Sequence, residues 1–283
     1  SGYLKDHSTG ELLIGASVII SEMRTGVVTN SYGFYSVTLP PGHYLFRFSY
    51  VGYTSQERHL VVEGNLTQNV SLEPAREELG EVVVTGDRAG QDLVAPVMSM
   101  VRISQGAIGR VPAFLGEVDL VKVIQLLPGV QSTSEGTTGF SVRGGNADQN
   151  LIILDEATVY NASHLMGFFS VFNNDAIKEV TLYKGDIPVA YGGRLSSLLD
   201  IRMRDGNARR FAATGSVGSV SSKLTLEGPL IRDRTTFLLS GRRTYADLFL
   251  PLAKNPDIRD NRLYFYDLNA KLSHQFDDNN RLF

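Results

Sequence analysis

The stretch that most constrains the fold lies near the end of the chain, where residues 264–276 alternate in polarity with a period of two. Tyr264, Tyr266, Leu268, Ala270 and Leu272 fall on one side of an extended backbone. Asp267, Asn269, Lys271, Ser273 and Gln275 fall on the other. Asp277-Asp278-Asn279-Asn280 then reads as a tight turn, and Arg281-Leu282-Phe283 opens a further strand. A second hairpin is expected from Glu227-Gly228-Pro229-Leu230, the turn Arg232-Asp233-Arg234, and the run from Thr236 to Arg243. Strands of about ten residues joined by short turns, apolar outside and polar inside, fit the wall of a transmembrane β-barrel. An amphipathic sheet of a soluble protein fits this segment alone equally well.

Composition removes several classes of function. The 283 residues carry 27 basic and 30 acidic side chains, a formal charge of −3, which leaves no basic footprint for nucleic acid. A hydrophobic content of 42% excludes a largely disordered chain. There is no cysteine, hence neither a disulfide framework nor a thiolate metal site. His7, His43, His59, His164 and His274 are scattered, with no pair at metal-ligand spacing. No run of about 18 apolar residues is present, so a membrane-spanning helix is excluded, although barrel strands are not. The chain opens on Ser1-Gly2-Tyr3 with no visible signal peptide, as expected if one has been removed. Nucleophile-elbow, P-loop, zinc-protease and dinucleotide signatures are all missing, so neither an enzyme nor a cofactor is expected.

Four pieces follow from the punctuation. Residues 1–73 hold short strand-like runs (Ala16–Ile20, Gly33–Leu39, Tyr44–Tyr50) separated by Gly, Pro and Asn, the spacing of a small β-sandwich. Residues 74–95 are a charged linker containing the β-prone run Glu81-Val82-Val83-Val84-Thr85-Gly86. Taken alone, that run is either a further strand or linker, or a segment kept unpaired until a partner sheet captures it. Residues 96–205 mix α and β. A helix is expected over Gly116–Leu127, with Val118, Val121, Ile124 and Leu127 on one face and Pro128-Gly129 as its stop. Strands are expected at Phe140–Arg143, Leu151–Leu154 and Glu179–Tyr183, the last after a helical turn at Asn174–Ile177. Residues 206–283 are the alternating strands. The fold class is therefore mainly β: an N-terminal sandwich, an α/β domain, and the first strands of an antiparallel barrel.

Motifs sharpen this. Thr9-Gly10, Leu13 to Val18, Thr29 to Tyr35, Leu39 to Tyr44 and Tyr50-Val51-Gly52-Tyr53 resemble the carboxypeptidase-regulatory-like domain, a scaffold without peptidase activity. Five further motifs stand in order: Leu126-Leu127-Pro128-Gly129-Val130, Phe140 to Gly145, Leu151 to Asp155, Ile177 to Gly185, and Ala190 to Arg194. Together they resemble the plug of TonB-dependent receptors, and Glu81–Thr85 then resembles the TonB box before it. One position departs: Glu156 stands where the family usually has glycine, so this loop is expected to close differently. Gly144-Gly145 and Gly192-Gly193 are either turn glycines or points where the plug approaches a barrel wall. Arg143 and Arg194 are either solvated or bidentate partners of barrel carboxylates. Asp155 is either a turn former or a plug–barrel partner, and Tyr191 belongs to the same motif set.

The resemblance implies a bacterial outer-membrane transporter of about 22 strands. TonB would add a strand to Glu81, Val82, Val83, Val84 and Thr85 and pull, with the sandwich and this segment in the periplasm. The cargo would be a siderophore, glycan or peptide. The SusC/RagA-like branch adds a SusD-like surface lipoprotein, but the wording Arg143 to Asn150 stands closer to a sister branch, in which a lid is not implied. The alternatives are a receptor-like subunit of a larger outer-membrane assembly and a soluble β-rich binding protein. A few strands cannot close in lipid, so the chain reads as the front of a longer one.

Overall fold

The computed structural model describes residues 1–75, 99–109, 111, 117–134, 136–245, 259, 264–277 and 280–283. Glu81–Gly86 lies outside the described residues.

The first unit is two facing sheets. One contains β1 (Gly2–Asp6) between β4 (Phe34–Tyr35) and β7 (Val70–Leu72). The other runs in the order β3 (Thr25–Val28), β2 (Ser17–Ile20), β5 (Gly42–Ser49), β6 (Gln56–Val62). Leu4, Leu13, Ile20, Phe48 and Leu72 fill the space between them. The expected strand over Gly33–Leu39 pairs only at Phe34–Tyr35. Beyond Tyr35 the side chains still alternate in burial, but Pro40 and Pro41 have no N–H to extend a ladder. Gly33 is required where it stands: its φ is +65°, and an added Cβ would lie 2.9 Å from the Leu12 Cβ.

The second unit is a five-stranded mixed sheet. Its order is β12 (Ala157–Thr158), β11 (Asn150–Leu154), β16 (Ser197–Met203), β15 (Ile177–Tyr183), β8 (Met100–Ser104). Of these pairings only β11–β16 is parallel. A hairpin of β9 (Val130–Ser132) and β10 (Phe140–Val142) and the helices α1 (Gln105–Gly109) and α2 (Leu120–Gln125) complete it. The sequence reading missed β16, the central strand, because Asp200 and Arg202 interrupt its apolar run. The helix is shorter than expected. Asp119 caps it in an extended conformation, accepting from the amides of Val121 at 2.9 Å and Lys122 at 3.4 Å, so Val118 precedes the helix. Its other carboxylate oxygen takes the Ser170 amide at 2.6 Å, tying the helix to β14 (Phe169–Ser170), the partner strand of β13 (Ser163–His164).

The third unit is an antiparallel meander of β17 (Ala212–Val217), β18 (Ser221–Ile231), β19 (Thr235–Thr244), β20 (Tyr266–Gln275) and β21 (Arg281–Leu282). Both expected hairpins are present. Burial along β20 follows the sequence alternation: Tyr266, Leu268, Ala270 and Leu272 are exposed, while Asp267, Asn269, Lys271 and Ser273 turn toward the second unit.

Asp119→Ala removes both the cap and the Ser170 anchor. Thermal unfolding of the intact protein should show a loss of about 1–2 kcal/mol, largely recovered in Asp119→Asn.

Candidate functional site

The inner face of the meander meets the mixed sheet through polar side chains rather than an apolar core. Arg242, on β19 and only 3% exposed, is the centre of one cluster. Its guanidinium lies 2.5 Å from Glu117 and 2.5 Å from Asp267, donates to the Ser170 carbonyl, and sits 5.1 Å from the Phe265 ring centroid. Glu117 also accepts from the Ser221 hydroxyl at 2.8 Å, and Asp267 lies 2.5 Å from His164. The planar fork suits this task because it reaches acceptors on two layers at once without losing its charge. Beside it, Asn173 donates to the Ser240 hydroxyl at 2.6 Å.

A second cluster lies toward the opposite end of the strands. Lys271 of β20 pairs with Asp155 at 2.8 Å and Asp205 at 3.0 Å, and Arg281 reaches Asp205 at 2.6 Å. The Asp205 amide donates to Glu11 of the sandwich, which pairs with Lys178 of β15 at 3.0 Å. Burial alone would raise the Asp205 pKa, but the charges of Lys271, Arg281 and Lys178 outweigh it and hold the carboxyl well below its usual range. Glu11 shifts the other way: burial raises it, and Lys178 compensates only in part. The sandwich is fastened further by Tyr50, whose hydroxyl donates to Glu179 at 2.8 Å, and by Arg102, which donates to the Gly15 carbonyl at 2.8 Å. Burial, and then the Glu179 carboxylate, push the Tyr50 phenol well above its ordinary pKa.

Residues 1–84 match the CarboxypepD_reg-like domain, and residues 103–197 match the TonB-dependent Receptor Plug Domain. The chain is a homologue of the TonB-dependent receptors. SusC, a TonB-dependent receptor of Bacteroides thetaiotaomicron, is 28% identical over 243 residues, covering 79% of this chain and 23% of SusC. The TonB-dependent receptor P26 of Formosa agariphila is 32% identical over 194 residues, covering 65% of this chain and 18% of P26. The siderophore receptor PirA of Pseudomonas aeruginosa superposes with a TM-score of 0.43 at 19% identity, over 63% of this chain and 31% of PirA. The chain thus spans no more than about a quarter of the length of these curated relatives. They are outer-membrane receptors and transporters, not enzymes.

The mixed sheet is therefore the plug, and its motif residues divide into two groups. Asp155 faces the strands: one oxygen accepts the Met203 amide at 2.9 Å and the other pairs with Lys271. It also forms a turn, so both of its expected roles meet in one side chain. Asp155 and Glu156 have φ of +44° and +71°, the left-handed pair of a two-residue hairpin between β11 and β12. Glu156 thus takes the left-handed conformation that glycine would have allowed.

The second group stays within the plug. Arg143 has φ +50° and donates to the Ser99 hydroxyl at 2.7 Å. Gly144 has φ +81° and borders open space. A Cβ on Gly145 would lie 2.7 Å from the Ser196 Cβ, a close approach to the plug's own loop. Tyr191 is half-buried, and burial followed by the Asp200 charge raises its pKa. Gly192 borders open space, Gly193 has φ +86°, and Arg194 is exposed. Arg242, Glu117, Asp205, Glu11 and Lys178 were not foreseen. Only Arg242 carried a signal, as a charge placed inward by the alternation of β19.

Arg242→Met leaves Glu117 and Asp267 facing each other without a cation, and should cost the intact protein about 3–5 kcal/mol in thermal unfolding. Glu156→Gly relieves a left-handed non-glycine residue and should raise stability by about 1 kcal/mol in the same measurement.

Proposed function

We propose that the intact protein is an outer-membrane transporter whose plug is released by force applied through Glu81–Thr85. The observation that carries this reading is the polar contact between plug and strands. One face of the meander is apolar and exposed, as in a lipid-facing wall. The other binds the plug through the Arg242 and Lys271 clusters, which can separate into water without exposing a hydrophobic core. Sequence spacing supports an orientation: residues 232–234 join β18 to β19 in a short turn, whereas β19 ends at Thr244 and β20 begins only at Tyr266. Short turns face the periplasm and long loops the exterior. The sandwich touches the short-turn end, where the Ala208 amide donates to Thr9 and the Asp233 amide to Ala208. This supports a periplasmic sandwich.

Strand addition suits such a handle because several main-chain bonds share a load while affinity stays modest. The cargo class, siderophore, glycan or peptide, belongs to the same proposal. So does a surface lipoprotein of the SusD type, the partner implied by likeness to SusC. Binding of the purified periplasmic domain of TonB to the intact receptor tests the handle. Deleting Glu81–Thr85 should abolish capture with folded receptor undiminished. Val83→Pro, which removes one amide donor, should weaken capture far more than Val83→Ala. Undiminished capture by the deletion variant would refute the assignment.

A further inference from the structure

The outward face of the meander carries a feature that a plain lipid wall does not need. Neighbours in register form one row across it: Gly215 beside Leu224, Leu224 beside Gly241, Gly241 beside Leu268. Neither glycine is required by the backbone. Both have φ outside the left-handed range. A Cβ on Gly241 would meet only Leu268 Cδ1, at 4.0 Å, and one on Gly215 would meet Leu224 and the Lys223 carbonyl at an ordinary 3.5 Å. A glycine inside a strand weakens it, and without a conformational reason it marks a place that something else approaches closely. Here Gly241 floors a trough walled by Leu224 and Leu268, and Gly215 leaves a second hollow on the far side of Leu224.

At the head of the trough stands Arg243. Strand alternation directs Arg242 into the plug contact and Arg243 outward, where it is exposed. It lies in register between Ser222 and Tyr266, with its guanidinium 5.7 Å from the Tyr264 ring centroid. Every other outward position of the five described strands is without a Lys, Arg, Asp or Glu side chain. No carboxylate pairs with Arg243 among the described residues. The level of Tyr264 and Tyr266 is where headgroups lie, so the Arg243 cation is placed to meet a headgroup anion.

We infer that this trough and Arg243 form a binding site for one phosphorylated membrane lipid, with an acyl chain over Gly241 between Leu224 and Leu268 and the headgroup phosphate on the Arg243 guanidinium. A guanidinium fork matches phosphate geometry, and the flanking tyrosines supply the amphipathic rim. By the loop lengths, the site belongs to the outer leaflet. The inference rests on the membrane reading of the strands and adds to it a specific lipid.

The test uses the intact receptor, stripped of lipid in a non-ionic detergent and titrated with dioleoyl phosphatidic acid or dioleoylglycerol, with retained lipid read by native mass spectrometry. The two probes share their chains and differ by the phosphate. Wild type should retain phosphatidic acid about tenfold better than dioleoylglycerol, and Arg243→Gln should remove most of that preference. Gly241→Val, which fits the backbone but fills the trough, should lower retention of both. Equal retention by wild type and Arg243→Gln, or an unchanged Gly241→Val, would overturn the site while leaving the membrane reading intact. An intact protein that stays soluble and monomeric without detergent would instead overturn the membrane reading.

Discussion

A strand that separates lipid from a folded plug must divide its side chains by parity, and the whole third unit obeys that constraint. On β19, Phe237 and Leu239 turn one way and Ser240 and Arg242 the other. Because the outward set must be apolar, nearly all of the recognition between wall and plug falls on polar inward residues. Arg242, between Glu117 and Asp267, is the clearest consequence. One guanidinium joins the plug to two adjacent strands, and no apolar side chain of similar size could satisfy both carboxylates.

The same parity explains what was legible in the sequence. The alternation of residues 264–276 gave both the strand and its faces, because a period of two is a local property. Short turns marked by Gly, Pro, Asn and Asp were legible for the same reason. The central plug strand Ser197–Met203 was not, since a strand buried on both faces shows no alternation and charged residues break its apolar run. The helix start was misplaced because the apolar spacing continues upstream through Val118, whereas the cap is set by the Asp119 carboxylate. Contacts over long separations, Glu11 with Lys178 or Lys271 with Asp155, had no local signature at all. Motif spacing brought Asp155 and Arg143 to notice together, but only the fold separates their roles. The first faces the wall and the second its own Ser99.

The loop after β11 shows how much a motif position constrains when its residue changes. Two successive left-handed residues are demanded by the two-residue connection between antiparallel strands, whose twist the turn must match. Asp155 meets that demand while its carboxylate is held by Met203 and Lys271, so its backbone is fixed by contacts on both sides. Glu156 simply follows, at the cost of a conformation that favours glycine. Conformation at this site is therefore imposed by the register of β11 and β12, not by the identity of residue 156.

Separability is the last consequence of a polar interface. The sandwich and the plug each have their own buried cluster, centred on residues such as Phe48 and Val180. Between plug and strands, among the described residues, the buried apolar contact is confined to Ala176, Met203 and Leu238 and to the Phe169–Phe265 ring pair. Ion pairs of this kind add little net stability compared with hydrophobic packing, because desolvation offsets much of the attraction. They do fix geometry, since each unpaired charge left by a misfit is expensive. Pulled apart into water, however, the charged partners are solvated again and little apolar surface is left to collapse. An interface that is specific when closed and tolerant of opening is what the proposed release of the plug would require, whereas a hydrophobic seam of equal area would hold the plug in place and aggregate once parted.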